Sequence, residues 1–253
     1  MNATINRFED QIDYHLQLFT EFIRGQSQFE SSFAFLTNLL RPEVYCENLI
    51  RFGSKKDGGH WICNPHNLLK RKCVIYSIGI DNNLSFESAI QNFTNNHCSL
   101  YAYDKINENE EIKAKIENEL NGRYEKVSVE KVARPGTGNV KGLSDLFIEN
   151  DHRTIDILKV DQKDNLRAVV GSIAGLYDIH NIVATHSGRP EDIAQFLATM
   201  SDLHYSLYSW EFDHRQPNTV ITSHIGNKWI NSTEFDYHYG QFYKVPPYAP
   251  LVS

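Results

Sequence analysis

The sequence predicts an α/β protein whose β-sheet is mostly parallel, with helices on both faces and an antiparallel hairpin near the C-terminal end. Short apolar runs rich in β-branched and aromatic residues alternate with segments of helical periodicity. Such alternation is typical of parallel strands joined by helices. Near the end, two strand-like runs at 204–212 and 219–225 are separated only by a polar turn, which indicates a hairpin.

A helical arm is predicted for residues 1–41. A second helical pattern within it covers 29–40 and ends before Pro42, because the residue before a proline disfavours helical backbone. We expect the arm to pack on the α/β domain, residues 42–253, or on a second copy of the chain in a homo-oligomer. The apolar side chains of the first helical pattern recur near one face, at Ile5, Phe8, Ile12, Leu16, Phe19 and Ile23.

A hairpin is predicted at 47–63, where two strand-like runs flank the turn 57–59, Asp-Gly-Gly. The glycine and lysines at 53–56 lack the spacing of a phosphate-binding loop. A central strand then covers 73–78, because this apolar run is too short for a buried helix. It leads into Gly79 and the polar turn 81–83, after which helical spacing returns.

The remaining elements continue the alternation. Two of the predicted strands end in an acidic residue, Asp104 and Asp161. Strands are predicted at 98–104, 124–132, 154–161 and 180–185, and helices at 112–120, 142–150, 166–176 and 187–203.

The candidate ligand site lies where these strands end, because parallel α/β sheets bind ligands beyond the carboxyl ends of their strands. Gly79 follows the first central strand, and Asp104 ends the second. A carboxylate at that position can accept both hydroxyl hydrogens of a ribose, as in NAD-binding and S-adenosylmethionine-binding folds. The alternative is that Asp104 simply favours the turn that follows the strand.

The composition limits the function classes. A net charge of −7 argues against a general nucleic-acid-binding surface, which needs a basic stripe. No apolar run approaches the roughly 20 residues of a membrane span. The N-terminus shows no signal-peptide core, so the cytosol is the expected compartment. Glycosylation patterns Asn-x-Ser/Thr matter only in a secreted chain, and they occur at Asn2, Asn83, Asn92 and Asn231.

The four cysteines form no Cys-x-x-Cys pair, so neither a structural zinc site nor another metal site is expected. Cys73 and Cys98 begin predicted buried strands and are expected to be small core residues. Cys46 and Cys63 flank a predicted turn and could pair in an oxidising compartment.

Several short motifs resemble the animal methyltransferase-like proteins related to the FkbM type, over roughly residues 41–225. They occur in the family's order at 51–53, 57–63, 76–79, 85–87 and 156–161. The resemblance implies a Rossmann-like class I methyltransferase fold with S-adenosylmethionine as cofactor. Ser77, Gly79 and Ile80 match the family's loop facing the cofactor, and Asp104 its ribose-binding acid. Asp161 matches the acid beside the methyl-transfer site.

Two departures from the family pattern concern the substrate side. After Asp161 the family continues with Glu-Gly and a further Glu, whereas this chain has Gln-Lys-Asp-Asn at 162–165. The family's next strand ends in a Glu-hydrophobic-His pattern; His186 matches the histidine with a one-residue slip, and the glutamate is absent. Lys163 adds positive charge that disfavours a second cation nearby, whether a metal ion or a sulfonium.

A hydroxyl acceptor would need a base, and Asp161 and His186 are the candidate catalytic residues. The alternatives are an N-cap for Asp161 and a strand-end histidine held by a backbone partner for His186. The leading hypothesis is an S-adenosylmethionine-dependent methyltransferase with an unknown acceptor. The second is a methyltransferase-fold binding or interaction module that has lost catalysis. A nicotinamide-dependent oxidoreductase is less favoured because no Gly-x-Gly-x-x-Gly loop is present.

Overall fold

The computed structural model describes Leu36 and residues 40–54, 58–105, 109–133, 139–161, 166–173, 176–213 and 219–230. The strands of this part are β1 (Leu49–Phe52), β2 (His60–Cys63), β3 (Val74–Ile78), β4 (Ser99–Asp104), β5 (Gly122–Lys126), β6 (Ser128–Glu130), β7 (Val140–Gly142), β8 (Thr154–Val160), β9 (Asp178–Ser187), β10 (Tyr205–Phe212) and β11 (Thr219–Gly226). The α-helices are α1 (Ser85–Thr94), α2 (Glu110–Glu119), α3 (Leu143–Glu149), α4 (Leu166–Gly171), α5 (Pro190–Asp202) and α6 (Asn227–Ile230).

A seven-stranded sheet in the order β10-β11-β9-β8-β3-β4-β5 forms the centre of the molecule. Strands β5, β4, β3, β8 and β9 run parallel to one another, and β11 runs antiparallel to both β9 and β10. The predicted Rossmann-like, mostly parallel sheet with its C-terminal antiparallel hairpin is therefore confirmed. The chain moves outward from β3 to β5 and then returns to β8 on the other side of β3, which creates a crevice at the carboxyl ends of β3 and β8.

Each face of the sheet is covered by its own apolar layer. The front face carries Ile75, Ile157 and Val183, and the β1–β2 hairpin, α1 and α2 pack against it. The back face carries residues such as Tyr76 and Leu158, and α3, α4 and α5 cover it. This alternation follows from the period of two along each strand. Burial of a large apolar side chain contributes about 1.5–3 kcal/mol, so the two layers hold the strand ends in place.

Two predicted elements differ from the structure. The strand predicted at 124–132 is broken at Val127, whose N–H donates to the carbonyl of Asp104 (2.9 Å). As a result β5 stays in the central sheet, while β6 pairs in parallel with β7. The helix predicted at 166–176 ends at Gly171, where the Ser172 hydroxyl bonds to the carbonyl of Val169 (2.6 Å).

The predicted arm lies almost entirely outside the described residues. Its described residues Leu36 and Leu40 are buried against α5, β10 and β11 in one apolar cluster. The end of the arm therefore packs on the α/β domain.

Cys73 and Cys98 are buried core residues, as expected. They also form a disulfide, which the sequence did not predict. They directly precede β3 and β4, whose register pairs Val74 with Ser99. Their Cα atoms are consequently only 4.4 Å apart, within reach of an S–S bond. Cys46 and Cys63 form a second disulfide with a Cα–Cα distance of 5.5 Å, as the sequence allowed.

Candidate functional site

The carboxyl ends of β3, β4 and β8 are held side by side by backbone hydrogen bonds. The N–H of Gly79 donates to the carbonyl of Tyr103 (2.9 Å), and the N–H of Asp161 donates to the carbonyl of Ile78 (2.9 Å). Gly79 has a φ of +78°, where a side chain would be strained. The structure thus brings Gly79, Asp104 and Asp161 together at one edge of the sheet, here called the carboxyl edge.

The loop between β3 and α1 is held to β4 by Asp104. Asp81 and Asn82 both have positive φ, 46° and 61°. The N–H of Asp81 donates to Oδ2 of Asp104 (2.8 Å). Asn82 Oδ1 accepts from the side chain of Asn109 (3.0 Å), which also caps α2. Asp104 therefore orders the turn that would face a ligand.

Two predicted cofactor residues have their side chains in the interior. The Ser77 side chain is fully buried and its hydroxyl donates to Oε1 of Glu87 on α1. Ile80 is 2% exposed and packs in the front apolar layer. Only the backbone of these two residues can face the crevice.

A buried ionic cluster, which we call the Lys159 network, lies directly beneath the carboxyl edge. Lys159 Nζ lies 3.0 Å from Oε1 of Glu87 and 3.2 Å from Oδ2 of Asp161. The side chains of Lys159 and Glu87 are 2% and 0% exposed, whereas that of Asp161 is 19% exposed. Ser77 and Lys159 are neighbours in register on the front face, where Glu87 approaches from the first turn of α1.

Lys159 and Glu87 lie within the motifs at 156–161 and 85–87, whose local patterns predict no role for either side chain. A signal was present, because a lysine inside an apolar central strand is almost never fully buried unless it is paired.

The charges of the Lys159 network stabilise one another. Burial alone would lower the pKa of Lys159, but the carboxylates of Glu87 and Asp161 outweigh it and raise the pKa above the ordinary value. Burial alone would raise the pKa of Asp161, but the positive charge of Lys159, together with the hydrogen bond from Thr185, holds it well below its usual range. Asp161 is therefore a fixed negative charge and a poor proton acceptor at neutral pH.

His60 on β2 joins the network from the hairpin. Its Nε2 lies 3.5 Å from Oδ2 of Asp161, and its ring packs edge-to-face on Phe86 with centroids 5.3 Å apart. His60 is fully buried. Within the described residues neither of its ring nitrogens makes a hydrogen bond, and neither does Oε2 of Glu87.

Close backbone contact places the hairpin against α1. Gly53 has a φ of +90°, and a Cβ there would lie 2.9 Å from Cα of Gly59 and 3.0 Å from N of Phe86. The N–H of Ser54 also donates to the hydroxyl of Ser85 at the start of α1 (3.2 Å). Glycine at position 53 is therefore required for the hairpin to bring His60 to Asp161.

The structure does not bring His186 together with Asp161. Thr185 faces the front, where its hydroxyl donates to Oδ1 of Asp161, so the next residue faces the back. There His186 Nε2 lies 2.8 Å from Oγ1 of Thr222, and its ring packs on Phe196 with centroids 4.3 Å apart. Burial lowers the pKa of His186 to about 3. His186 is therefore a buried strand-end histidine, but its partner is the side-chain hydroxyl of Thr222 and not the backbone group that the alternative expected.

A cavity of about 290 Å³ opens at the opposite edge of the sheet. It is lined by the first residues of β9 and β10, Asp178 and Tyr205, and by Trp229 of α6. This is the amino edge, and it shares no residue with the carboxyl edge.

Other features of the described residues bear on metals and membranes. No group of three or more His, Cys, Asp or Glu residues in the described ranges could hold a metal ion. None of the helices in those ranges is both long and apolar enough to cross a membrane.

Some solved structures are similar to this chain at low identity. The Methanococcus jannaschii fibrillarin pre-rRNA processing protein has a TM-score of 0.47 at 9% identity, covering 62% of this chain and 67% of that one. Aeropyrum pernix fibrillarin with bound S-adenosyl-L-methionine has a TM-score of 0.45 at 10% identity, covering 71% and 83%. M. capricolum TrmK with S-adenosyl-homocysteine has a TM-score of 0.40 at 14% identity, covering 64% and 67%. These similarities do not decide what this chain binds.

The family comparison covers most of the chain. No curated protein matches the sequence. A family model described as "Methyltransferase domain" matches residues 2–226. That range includes the hairpin, the central sheet with its carboxyl edge, and the closing antiparallel strands. The chain belongs to this methyltransferase domain family.

Proposed function

We propose that this chain transfers a methyl group from S-adenosylmethionine to an acceptor and binds the cofactor at the carboxyl edge. The observation that carries the proposal is the convergence of Gly79, Asp104 and Asp161 beside the crevice between β3 and β8, in a chain of the methyltransferase domain family. Crevices of this kind bind nucleotides in α/β folds.

Each residue of the carboxyl edge has a proposed role. Asp104 accepts the ribose hydroxyl hydrogens, while its bond to Asp81 keeps the turn in place. The backbone of the loop from Ser77 through Gly79 and Ile80 borders the nucleoside. Asp161 faces the sulfonium: the Lys159 network has two carboxylates and one ammonium, so its formal charge favours a cation at the exposed side of Asp161.

The geometry limits proton abstraction. Methyl transfer needs alignment of donor and acceptor more than chemistry from the protein. Asp161 is held ionised by Lys159, and His186 lies on the back face. We therefore propose that Asp161 contributes charge, not a base, and that the acceptor presents its nucleophile without needing a strong protein base.

The same observations favour a second candidate, a methyltransferase-fold binding module without turnover. If the acceptor requires a base, Asp161 is held ionised by Lys159 and His60 is fully buried, so neither is suited to take up a proton from it. The two candidates share the cofactor site and differ in whether methyl groups are transferred.

We also propose the finer identity, a relative of the animal FkbM-type proteins. The motifs behind that resemblance meet in space around the site. A Cβ on Gly53 would lie 3.0 Å from N of Phe86, and His60 lies 3.5 Å from Asp161. Ser77 and Lys159 both bond to Glu87.

The compartment and the assembly remain proposals. Two disulfides in one domain favour an oxidising compartment over the cytosol expected from the sequence, because cytosolic thiols are kept reduced. The division at residue 41 and self-association through the arm concern residues that are mostly outside the described ranges.

Calorimetric titration with S-adenosylmethionine and S-adenosylhomocysteine tests the proposed function. We expect micromolar binding to the unmodified chain. Asp104→Asn keeps an oxygen for the N–H of Asp81 but loses the charge, so binding should weaken about 10- to 100-fold, since a hydrogen bond to a charged group contributes about 1.5–3 kcal/mol. Asp202→Asn, an exposed acid at the end of α5, is the matched control and should bind normally.

Three outcomes separate the alternatives. No binding at millimolar cofactor would reject both the enzyme and the cofactor-binding module. Normal binding by Asp104→Asn would reject the ribose role. Normal binding without methylation of any nucleophile in an acceptor panel would favour the module.

A further inference from the structure

We infer that Asn92 is an acceptor site for an N-linked glycan. The pattern Asn92-Phe93-Thr94 has meaning only in a chain that enters the secretory route. The structure supplies an independent sign of that route, because all four cysteines are paired in two disulfides. Disulfides of this kind persist in oxidising compartments, where N-glycosylation also takes place.

The position of Asn92 accommodates a bulky sugar. It lies on the exposed side of α1, whose inward side carries Phe86, Ile90 and Thr94. The Asn92 side chain makes no hydrogen bond or ion pair within the described residues. A glycan there would extend into solvent without displacing a contact of the domain.

The glycan would also leave the candidate site open. Helix α1 starts beside Gly79 at the carboxyl edge and returns toward the start of β4. Asn92 is near the end of this helix and so lies toward the amino edge. Modification and cofactor binding are therefore compatible.

The timing of the modification follows from Thr94. Its hydroxyl is buried and donates to the carbonyl of Ile90 (3.0 Å). The transferase joins Nδ2 of Asn92 to the anomeric carbon of an oligosaccharide carried on a polyprenyl diphosphate. The anomeric C–O bond breaks, the polyprenyl diphosphate leaves, and Nδ2 loses one proton. A transferase that must contact the Thr94 hydroxyl during this step acts before α1 docks on the sheet. The exposed Asn92 then lets the glycosylated chain fold.

Asn83, in the other described pattern, provides the contrast. Its Oδ1 accepts from the N–H of Ser85 (3.0 Å). Its Nδ2 faces Gly58 of the hairpin so closely that a Cβ on Gly58 would lie only 2.7 Å away. A glycan on Nδ2 would displace the hairpin from α1, so folded molecules should carry none at Asn83.

Peptide mapping of secreted protein tests the inference. The full chain is expressed behind a cleavable secretory leader in cultured animal cells. The folded fraction is treated with peptide-N-glycosidase in heavy-oxygen water, which converts each glycosylated asparagine into labelled aspartate. We expect the label at Asn92 in most molecules, no label at Asn83, and no free thiols. Asn92→Gln should lose the corresponding glycan mass, and the matched control Asn83→Gln should lose none.

Specific results would overturn the inference. One is an unlabelled Asn92 in protein whose two disulfides have formed. Another is free thiols at the four cysteines, which would remove its basis. If the chain is retained inside the cells, endoglycosidase H digestion and peptide mapping of the retained protein show in the same way whether Asn92 carries a glycan.

Discussion

Lys159 is the single residue on which the electrostatics of the candidate site depend most. Its ammonium is buried in the central strand β8 and contacts two carboxylates, Glu87 and Asp161. Removing an ion from water costs several kcal/mol, which a buried pair offsets only when the geometry is good. The contacts of 3.0 and 3.2 Å meet that condition.

Lys159→Met should lower the free energy of unfolding by about 3–5 kcal/mol, because it leaves two buried carboxylates without their cation. Urea unfolding monitored by circular dichroism measures the change. In the double variant Lys159→Met/Glu87→Gln, the free energy of unfolding should fall by less than the sum of the two single losses. The reason is that the carboxylate of Glu87, which Lys159→Met leaves unpaired, is then absent.

Lys141→Met is the matched control for this prediction. Lys141 also bridges two carboxylates, Glu125 (2.8 Å) and Glu149 (2.7 Å), but it lies at the surface with 28% of its side chain exposed. Its loss should cost less than about 1 kcal/mol. Equal losses for Lys141→Met and Lys159→Met, or strict additivity in the double variant, would contradict the account of the network.

Two buried histidines should make the protein sensitive to acid. Burial lowers the folded-state pKa of both His186 and His224 to about 3, whereas the unfolded value is about 6.5. As the pH falls from about 6.5 toward 3, the unfolded chain takes up protons that the folded protein does not. The contribution of the two neutral histidines to the free energy of unfolding is therefore fully present above about pH 6.5 and is lost as the pH falls below that value.

His224→Leu should reduce this loss by about 1.4 kcal/mol per pH unit between about pH 4 and 6, the contribution of one proton. Both ring nitrogens of His224 are buried without a hydrogen bond among the described residues. The substitution should thus cost little at pH 7. Urea unfolding across that pH range measures the slope of the free energy of unfolding against pH. A slope that the substitution leaves unchanged would show that the folded protein does not hold His224 buried in its neutral form.

At the scale of elements, the disulfide of Cys73 and Cys98 links β3 and β4, two of the three strands whose carboxyl ends form the proposed cofactor site. It closes a loop of 25 residues. Limiting the unfolded chain in this way contributes about 3 kcal/mol. The double variant Cys73→Ala/Cys98→Ala should lose about that amount in urea unfolding under oxidising conditions.

The wild type in a strong reductant provides the control for the disulfide prediction, because reduction breaks both bridges. The reduced wild type should therefore lose more free energy of unfolding than the double variant does. If neither the substitutions nor the reductant changed the unfolding midpoint, the bridges would contribute nothing to stability.

Most elements were predictable because local patterns determine them. Strands and helices alternate as expected, and the hairpin at 47–63 is present as β1 and β2. The break between β5 and β6 was not predictable, because the alternation in the sequence continues through Val127. The break reflects a change of partner strand, because β5 pairs with β4 up to Lys126 whereas β6 pairs with β7 from Ser128.

At the scale of the whole molecule, the topology explains which site residues the sequence could predict. That the candidate residues Gly79, Asp104 and Asp161 lie close together was predictable, because parallel strands place their carboxyl ends at one edge. Their meeting needs only the correct strand order. His186 was a different case, because a shift of one residue along a strand moves a side chain to the other face.

The Lys159 network was missed because it unites distant parts of the chain. Lys159 and Glu87 are 72 residues apart and come from β8 and α1. His60 comes from the hairpin, and its approach depends on close contact at Gly53. No periodicity within one element predicts such a meeting. The pairing of Cys73 with Cys98 likewise depended on the register of β3 and β4.

A crystal structure of the chain grown with millimolar S-adenosylhomocysteine tests the central claim most directly. The account predicts the nucleoside at the carboxyl edge, with its ribose hydroxyls in hydrogen-bond contact with Asp104 and its sulfur turned toward Asp161. An empty carboxyl edge, or the nucleoside bound elsewhere, such as in the cavity beside Asp178 and Trp229, would contradict it.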